Sequence, residues 1–153
     1  MKTKGFFIPR SLRRLIDMGS QDIRWKQRFE NYSKACALLA EISDYELEST
    51  PAIIREGFIQ RFEVAFDLAW KTTKDYLLYL GHDVQPSPRT VIKEAFAAKV
   101  IEDGQAFVDM LEARNQMSHR YDEATFDTIF SQIKTEFYPA LEKLREYLEG
   151  CQA

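Results

Sequence analysis

The sequence predicts an all-α fold, an antiparallel up-and-down bundle of four main helices whose third helix is broken in two. Two observations lead to this prediction. Apolar residues recur at spacings of three and four in every long segment, which is the period of an amphipathic helix. No segment alternates strictly between apolar and polar residues, and no Asn-Gly or Asp-Gly turn joins two such segments, so no β-hairpin is expected.

Apolar stripes and their flanking residues predict the first two helices. Asp22 is expected to be the N-cap of the first helix, because its carboxylate can accept from the free N–H groups of a first turn. The stripe that follows is Trp25, Phe29, Tyr32, Cys36 and Leu39. The second helix is expected to have Thr50 as its cap, Pro51 at its first position and Gly81 just beyond its end. Its broad apolar face is Phe58, Phe62, Ala65, Phe66, Ala69, Trp70, Leu77 and Leu80.

The second half of the chain predicts a broken helix followed by a last long one. Proline restricts the preceding residue, so helix is expected to resume only at about Pro88. Asp103-Gly104 is expected to divide this third helix. Its two parts carry the stripes Val91, Ile92, Ala95, Phe96 and Phe107, Met110, Leu111, Met117. Asp122 is expected to cap the last helix, and Pro139 predicts a kink or short break within it. The last stripe is Phe126, Ile129, Phe130, Ile133, Phe137, Leu141, Leu144 and Leu148.

Length and charge predict one helical domain after a basic segment. The chain has 153 residues, 45% of them hydrophobic, and a net charge of −3. Residues 1–20 hold five basic side chains and one acid, Asp17, a balance of +4, so the remainder carries −7. Residues 1–20 are expected to form a flexible tail, and residues 21–150 the bundle domain. The alternative for the tail is a basic arm that contacts RNA or a partner.

Most signatures of chemistry are missing from the sequence. No phosphate-binding loop occurs, and the two histidines, His82 and His119, lie far apart with no cysteine nearby, so neither a metal nor another cofactor is expected. Cys36 and Cys151 are expected to be free thiols in a reducing cytoplasm. No apolar run approaches the roughly 18–20 residues that span a bilayer, so no membrane association is expected.

The stretch "RNQMSHRYD" carries the candidate site. His119 can take a proton from a ribose 2′-hydroxyl or give one to a leaving 5′-oxygen. Arg114 offers a planar fork of donors that suits a phosphate with developing charge. Five residues on a straight helix would turn these two side chains about 140° apart. They can act together only if the helix ends before His119 or if two chains share the site across a two-fold axis.

A purely structural interpretation of the same stretch stays open on spacing alone. "RNQMSHRYD" also suits the polar end of a helix. Arg114 would then pair with Glu112 or Asp109, and His119 would lie near a C-terminal carbonyl.

Several segments together resemble a known family. They are "DIRWKQRFENYSKACALL", "GFIQRFEVAFDLAWKTTKDYLLYLG", "PRTVIKEAFAAKVIEDGQAFVDMLEARNQMSHRYDEATFDTIF" and "YPALEKLREYL". In this order they resemble the nucleotidyltransferase substrate-binding protein family of the HEPN superfamily of helical bundles. The resemblance covers Asp22 to about Leu148 and leaves residues 1–20 outside.

The resemblance implies a function and a partner. Such proteins are usually encoded beside a minimal nucleotidyltransferase and form a complex with it. In the toxin–antitoxin branch the HEPN protein is a homodimeric, metal-independent ribonuclease that leaves 2′,3′-cyclic phosphate ends. The motif Arg-x4-His-x-Tyr forms the site there, and the partner silences it by AMP transfer to the tyrosine. Arg114, His119 and Tyr121 match this motif, and Asn115 fits the family pattern. The alternative is a non-catalytic subunit that binds a substrate or nucleotide for the nucleotidyltransferase.

The second helix carries a further group of charges. Phe62, Phe66 and Trp70 have the spacing of core residues. Four charged residues alternate in sign on the other face, namely Glu63, Asp67, Lys71 and Lys74. We expect this face to be solvated, with i,i+4 pairs such as Asp67–Lys71. The alternative is that some of the four line a pocket or a partner surface.

Overall fold

The computed structural model describes residue 5, residues 7–120 and residues 122–152, and all regular structure in these ranges is helical. Its α-helices are α1 (Arg10–Ala40), α2 (Ala52–Tyr79), α3 (Pro88–Ala97), α4 (Gly104–Met117), α5 (Glu123–Gln132) and α6 (Tyr138–Gly150). A 3₁₀ turn (Glu41–Asp44) follows α1, and a π-helical turn (Ile133–Phe137) joins α5 to α6. The all-α prediction is confirmed.

Helices α1 and α2 form an antiparallel pair. Near the start of the buried part of α1, the Trp25 ring meets the Tyr76 ring edge-on, with 5.0 Å between centroids. At the other end of the pair, a guanidinium nitrogen of Arg61 donates to the Leu38 carbonyl at 2.8 Å. This pairing places the N-terminal half of α2 beside the C-terminal end of α1. The candidate site lies at this end of the helix pair.

The start of α1 differs from the prediction. The helix begins at Arg10 after Pro9, and Asp22 lies inside it, so the prediction of Asp22 as N-cap is wrong. The Asp22 carboxylate instead accepts from the Trp25 indole at 3.1 Å and from the Lys26 ammonium at 3.0 Å. These i+3 and i+4 contacts satisfy the carboxylate within a continuing helix. Residues 1–4 and 6 lie outside the described ranges, and the boundary between a tail at 1–20 and a domain at 21–150 stays a prediction.

The ends of α2 bear out one predicted cap and correct another. The helix begins at Ala52 with Pro51 at the N-cap position, so Pro51 is not the first helical residue, and the Thr50 hydroxyl donates back to the Glu46 carbonyl, so Thr50 is not the cap. At the other end Gly81 has φ +95°, and the N–H of His82 donates to the Leu77 carbonyl at 3.0 Å. That is the hydrogen bonding of a helix that ends on a left-handed glycine, as expected.

The breaks in the second half of the chain fall where the sequence places them. Ser87 caps α3, which begins at Pro88, and Asp103 caps α4 by accepting from the Ala106 N–H at 3.0 Å. The third helical region is therefore divided at Asp103-Gly104. The irregular π-helical turn ends at Phe137, two residues before Pro139, which lies in the first turn of α6.

The core lies along the predicted stripes, with two exceptions. The Phe62 and Phe137 rings stack with 5.2 Å between centroids, joining α2 to the last helical region. Leu80 and Phe96, both assigned to apolar faces, are about half exposed. Phe96 instead covers Gly104, where an added Cβ would lie 3.1 Å from its ring.

Within the described ranges, no helix is long and apolar enough to cross a membrane.

Candidate functional site

The turn between α4 and α5 carries the candidate motif. Helix α4 ends at Met117, and the N–H groups of His119 and Arg120 both donate to the Gln116 carbonyl, at 3.0 and 2.9 Å. Two residues later Asp122 caps α5, as predicted, by accepting from the Thr125 N–H at 2.7 Å. Arg114 and His119 therefore do not share one straight helix, and the expected helix end before His119 is confirmed.

Arg114 lies half-buried in the last turn of α4 and faces helix α2. Its guanidinium attracts the carboxylate of Glu63. Burial raises the pKa of Glu63, and the positive charge of Arg114 opposes that rise. Within the described ranges no ion pair joins Arg114 to Glu112 or Asp109, and Asp109 instead accepts from the Gln105 side chain at 2.8 Å. That part of the structural interpretation is wrong.

His119 and Asn115 are both exposed. Among the described residues neither side chain has a hydrogen-bond partner, and no hydrogen bond joins His119 to Arg114. The Asn115 carbonyl accepts from the Ser118 N–H at 3.2 Å, which closes the end of α4. Tyr121, the expected AMP acceptor, lies outside the described residues. The imidazole of His119 is therefore accessible from solvent, and no described residue of the same chain holds it by a hydrogen bond.

A cleft of about 400 Å³ lies between α2, the end of α4 and the start of α5. Its lining is Glu56, Ile59, Gln60, Glu63, Met117 and Phe126. Apolar side chains can contact a base or another planar group, whereas the two carboxylates repel a phosphate. Arg114, beside Glu63, is the nearby cation that can attract one. On a single chain the cleft is therefore a poor phosphate site except at the Arg114 edge.

The chain matches a family by sequence. The sequence model of the family described as nucleotidyltransferase substrate binding protein like matches residues 27–150. The chain belongs to this family. It is also similar to a crystal structure of a Thermus thermophilus protein, with 28% identity, a TM-score of 0.65, and coverage of 79% of this chain and 98% of that one. A comparison with curated proteins found no match.

The region that the family model matches includes all of α2 and the α4–α5 turn. The charged face predicted for α2 is present, but its residues differ in the partners that they meet. Asp67 accepts from Lys71 at 2.8 Å, so the expected i,i+4 pair is confirmed. Phe62 and Phe66 are fully buried, as expected, and Trp70 is half-buried against the core. All four charged residues of this face are half-buried, so the expectation of a solvated face is wrong, and Glu63 differs from the others in that its charge interacts with Arg114 on α4.

Of the residues that line the cleft, Glu63 is the one that the sequence placed least well, and Glu56 was not singled out. The spacing of Glu56, Gln60 and Glu63 places them on one helix face, but nothing in the sequence says which other helix lies next to that face.

Across the described residues no cluster of three or more metal-ligating side chains occurs. A larger cavity, about 690 Å³, lies between residues 99–103 and α6, at the opposite end of α4 from the motif.

Proposed function

We propose that this protein is a metal-independent ribonuclease toxin subunit that acts as a HEPN-type homodimer in the cytoplasm. The observation that supports this most is the α4–α5 turn of a nucleotidyltransferase substrate-binding family member. It holds Arg114 beside a cleft and leaves His119 exposed beyond the helix end. We further infer that α3 and α4 together act as one broken helix in an antiparallel four-helix bundle.

The proposed reaction is an internal transesterification of RNA. The ribose 2′-oxygen bonds to the adjacent phosphorus, and the bond from phosphorus to the 5′-oxygen breaks. The products are a 2′,3′-cyclic phosphate and a free 5′-hydroxyl. The imidazole of His119 takes the 2′-hydroxyl proton or supplies the proton to the leaving oxygen. The Arg114 guanidinium stabilises the extra negative charge on the phosphate in the transition state.

A homodimer would supply what one chain lacks. The reaction needs both a base and an acid, and each chain has a single histidine in the motif. Two motifs facing each other across a two-fold axis would bring two imidazoles and two guanidinium groups to one phosphate. The phosphate would also compete with Glu63 for Arg114. The half-burial of Glu63 favours that exchange, since a buried carboxylate is poorly stabilised as an anion.

Silencing by the partner would act on the same turn. In the proposed modification, the Tyr121 oxygen attacks the α-phosphorus of ATP, and pyrophosphate leaves. The partner nucleotidyltransferase, encoded nearby, would supply the active site for this transfer. An AMP group two residues from His119 would add a bulky anion that competes with RNA phosphate for Arg114. The support for this step is the motif spacing and the family's association with a nucleotidyltransferase.

The alternative is a non-catalytic subunit that binds a substrate or nucleotide for the nucleotidyltransferase. One observation favours it, namely that within the described residues no hydrogen bond joins Arg114 to His119, so a single chain does not assemble a base and an acid at one phosphate. In this function Arg114 and His119 would bind phosphate without cleaving it.

RNA cleavage by the purified protein without added metal separates the two functions. The variants to compare are wild type, His119→Ala and His82→Ala. His82 is an exposed histidine in the loop after α2, so its replacement controls for loss of an imidazole. Cleavage is expected in wild type and His82→Ala and lost in His119→Ala. The intact mass is measured first, because a protein already carrying AMP would be silent. No cleavage by unmodified wild type would favour the binding subunit.

A further inference from the structure

The first part of α1 projects beyond the rest of the fold. Every residue from Arg10 to Ser20 is exposed, and the first fully buried side chain of the helix is Trp25. The matched family region begins later still, at residue 27. The helix runs from Arg10 to Arg24 without a break, a length of about 21 Å at 1.5 Å per residue. This segment therefore presents almost its whole circumference to solvent.

Two different faces run along the projecting helix. At about 100° per residue, the arginine face spans a sector of roughly 100° and the apolar face a similar sector on the opposite side. The arginine face holds Arg10, Arg13, Arg14 and Arg24, with Asp17 in its midst. The apolar face holds Leu12, Leu15, Ile16 and Ile23, each about half exposed or more. The arginine face continues along the helix to Arg28, four positions after Arg24, which pairs with Asp75 on α2, whereas the residues of both faces up to Arg24 are exposed or only partly buried.

The arginine face is unneutralised, in contrast to the cations that follow it on the same helix. Among the described residues, no carboxylate lies within ion-pair distance of its four arginines. Lys26 pairs with Asp22 at 3.0 Å, and Arg28 pairs with Asp75 at 2.9 Å. The remainder of the chain after residue 20 carries −7. Four arginines that form no ion pair among the described residues are therefore gathered on one side of one exposed helix.

We propose that the arginine face binds the phosphate backbone of single-stranded RNA. That the polyanion is RNA rests on the proposed ribonuclease function. Guanidinium forks suit phosphate oxygens, and the length of the face matches about six stacked nucleotides at 3.4 Å each. An amphipathic helix that lies on a membrane also carries cations on the face opposite its apolar residues. The proposal commits to RNA because RNA is the polyanion that the proposed function handles, and binding to anionic lipid vesicles without binding to RNA would overturn it.

The arginine face lies away from the proposed catalytic turn. Trp25 meets Tyr76 on α2, whereas Arg114 faces Glu63, thirteen positions earlier on the same helix. That separation is about 20 Å along the helix axis. The face therefore binds RNA at a distance from the reacting phosphate. It strengthens binding of an oligonucleotide and leaves cleavage of a dinucleotide unchanged.

The test is binding of a fluorescein-labelled 2′-O-methyl RNA, measured by anisotropy over a salt series. The blocked 2′-oxygen prevents the proposed cleavage, so binding is read apart from catalysis. Arg13→Gln/Arg14→Gln removes two cations and keeps a good helix former. Its slope of log Kd against log salt is expected to fall by about 1.4, or 0.7 for each phosphate that is no longer neutralised. Lys34→Gln is the matched control, an exposed cation on α1 outside the arginine face, and its slope is expected to change least.

Asp17→Asn is expected to change the affinity for RNA in the opposite direction. This carboxylate lies within the arginine face, so its removal is expected to tighten RNA binding. Absence of binding by wild type would overturn the proposal, as would equal slopes in the double variant and Lys34→Gln. A change in oligomeric state without a change in slope would also overturn it, in favour of a protein contact. RNA binding without cleavage by unmodified wild type would instead overturn only the ribonuclease.

Discussion

Arg28 and Asp75 form an ion pair between α1 and α2 whose two members differ in exposure. The Asp75 side chain is 2% exposed and that of Arg28 is 31% exposed, with 2.9 Å between the charged atoms. The contact is close but not aligned as a hydrogen bond. The ammonium of Lys74 is the next cation, at 3.6 Å from the same carboxylate.

This difference in exposure predicts that the two partners are not equivalent. Arg28→Met leaves a buried carboxylate with only Lys74 beside it, and stranding a buried charge costs about 3–5 kcal/mol. Because Lys74 remains, we expect a cost near the lower end, about 3 kcal/mol. Asp75→Asn keeps an oxygen beside the buried guanidinium nitrogen of Arg28, and the rest of that side chain is 31% exposed, so about 1–2 kcal/mol is expected. Arg28→Met together with Asp75→Leu removes both charges and is expected to recover most of the loss.

Urea denaturation measures these differences. With an m value of about 2 kcal/mol/M, a loss of about 3 kcal/mol lowers the midpoint by roughly 1.5 M. Lys26→Met is the control, since Lys26 pairs with Asp22 on the same helix, but both side chains are about one-third exposed. Its cost is expected to be about 0.5 kcal/mol. If Arg28→Met cost no more than Lys26→Met, or no more than Asp75→Asn, the reasoning from burial would be refuted.

Three further predictions concern buried or constrained groups. Burial raises the pKa of the Cys36 thiol to about 12, so the native protein is expected to react with a thiol reagent at Cys151 alone. The stability that depends on neutral Cys36 is present below the ordinary value of 9.0 and is lost as the pH rises toward 12, which urea midpoints at alkaline pH would check. Tyr32→Phe removes the hydroxyl that donates to the buried Leu141 carbonyl at 2.6 Å, and should cost about 1–3 kcal/mol in urea. Gly81→Ala forces a residue with a Cβ into the left-handed conformation at φ +95°, and this strain should lower the stability by about 1–2 kcal/mol. A melting temperature equal to that of wild type would contradict this prediction.

Most helix ends could be predicted because their causes are local. Gly81 in a left-handed conformation, the break at Asp103-Gly104, Asp122 as a cap and Pro88 at a helix start each act within one turn of the chain. Asp22 shows where local reasoning fails. Its carboxylate has the chemistry of a cap, but the contacts to Trp25 and Lys26 satisfy it equally well inside a longer helix.

The candidate site divides in the same way. The residues Arg114 and His119, and the helix end between them, could be predicted from the sequence. Glu63 could also be assigned to a helical face, but on spacing alone that face looked solvated. Its burial and its attraction to Arg114 arise only where α2, the end of α4 and the start of α5 come together.

The sequence by itself determined the all-α class, the apolar stripes, most caps and breaks, and the family, because each depends on residues close together along the chain. The tertiary structure decided that Arg114 faces Glu63, that Arg28 meets Asp75, and that α1 carries its arginines out into solvent. Each of these outcomes depends on how long a helix is and on which other helix packs against it. The packing of whole helices determines both, and the sequence of a single segment does not specify that packing.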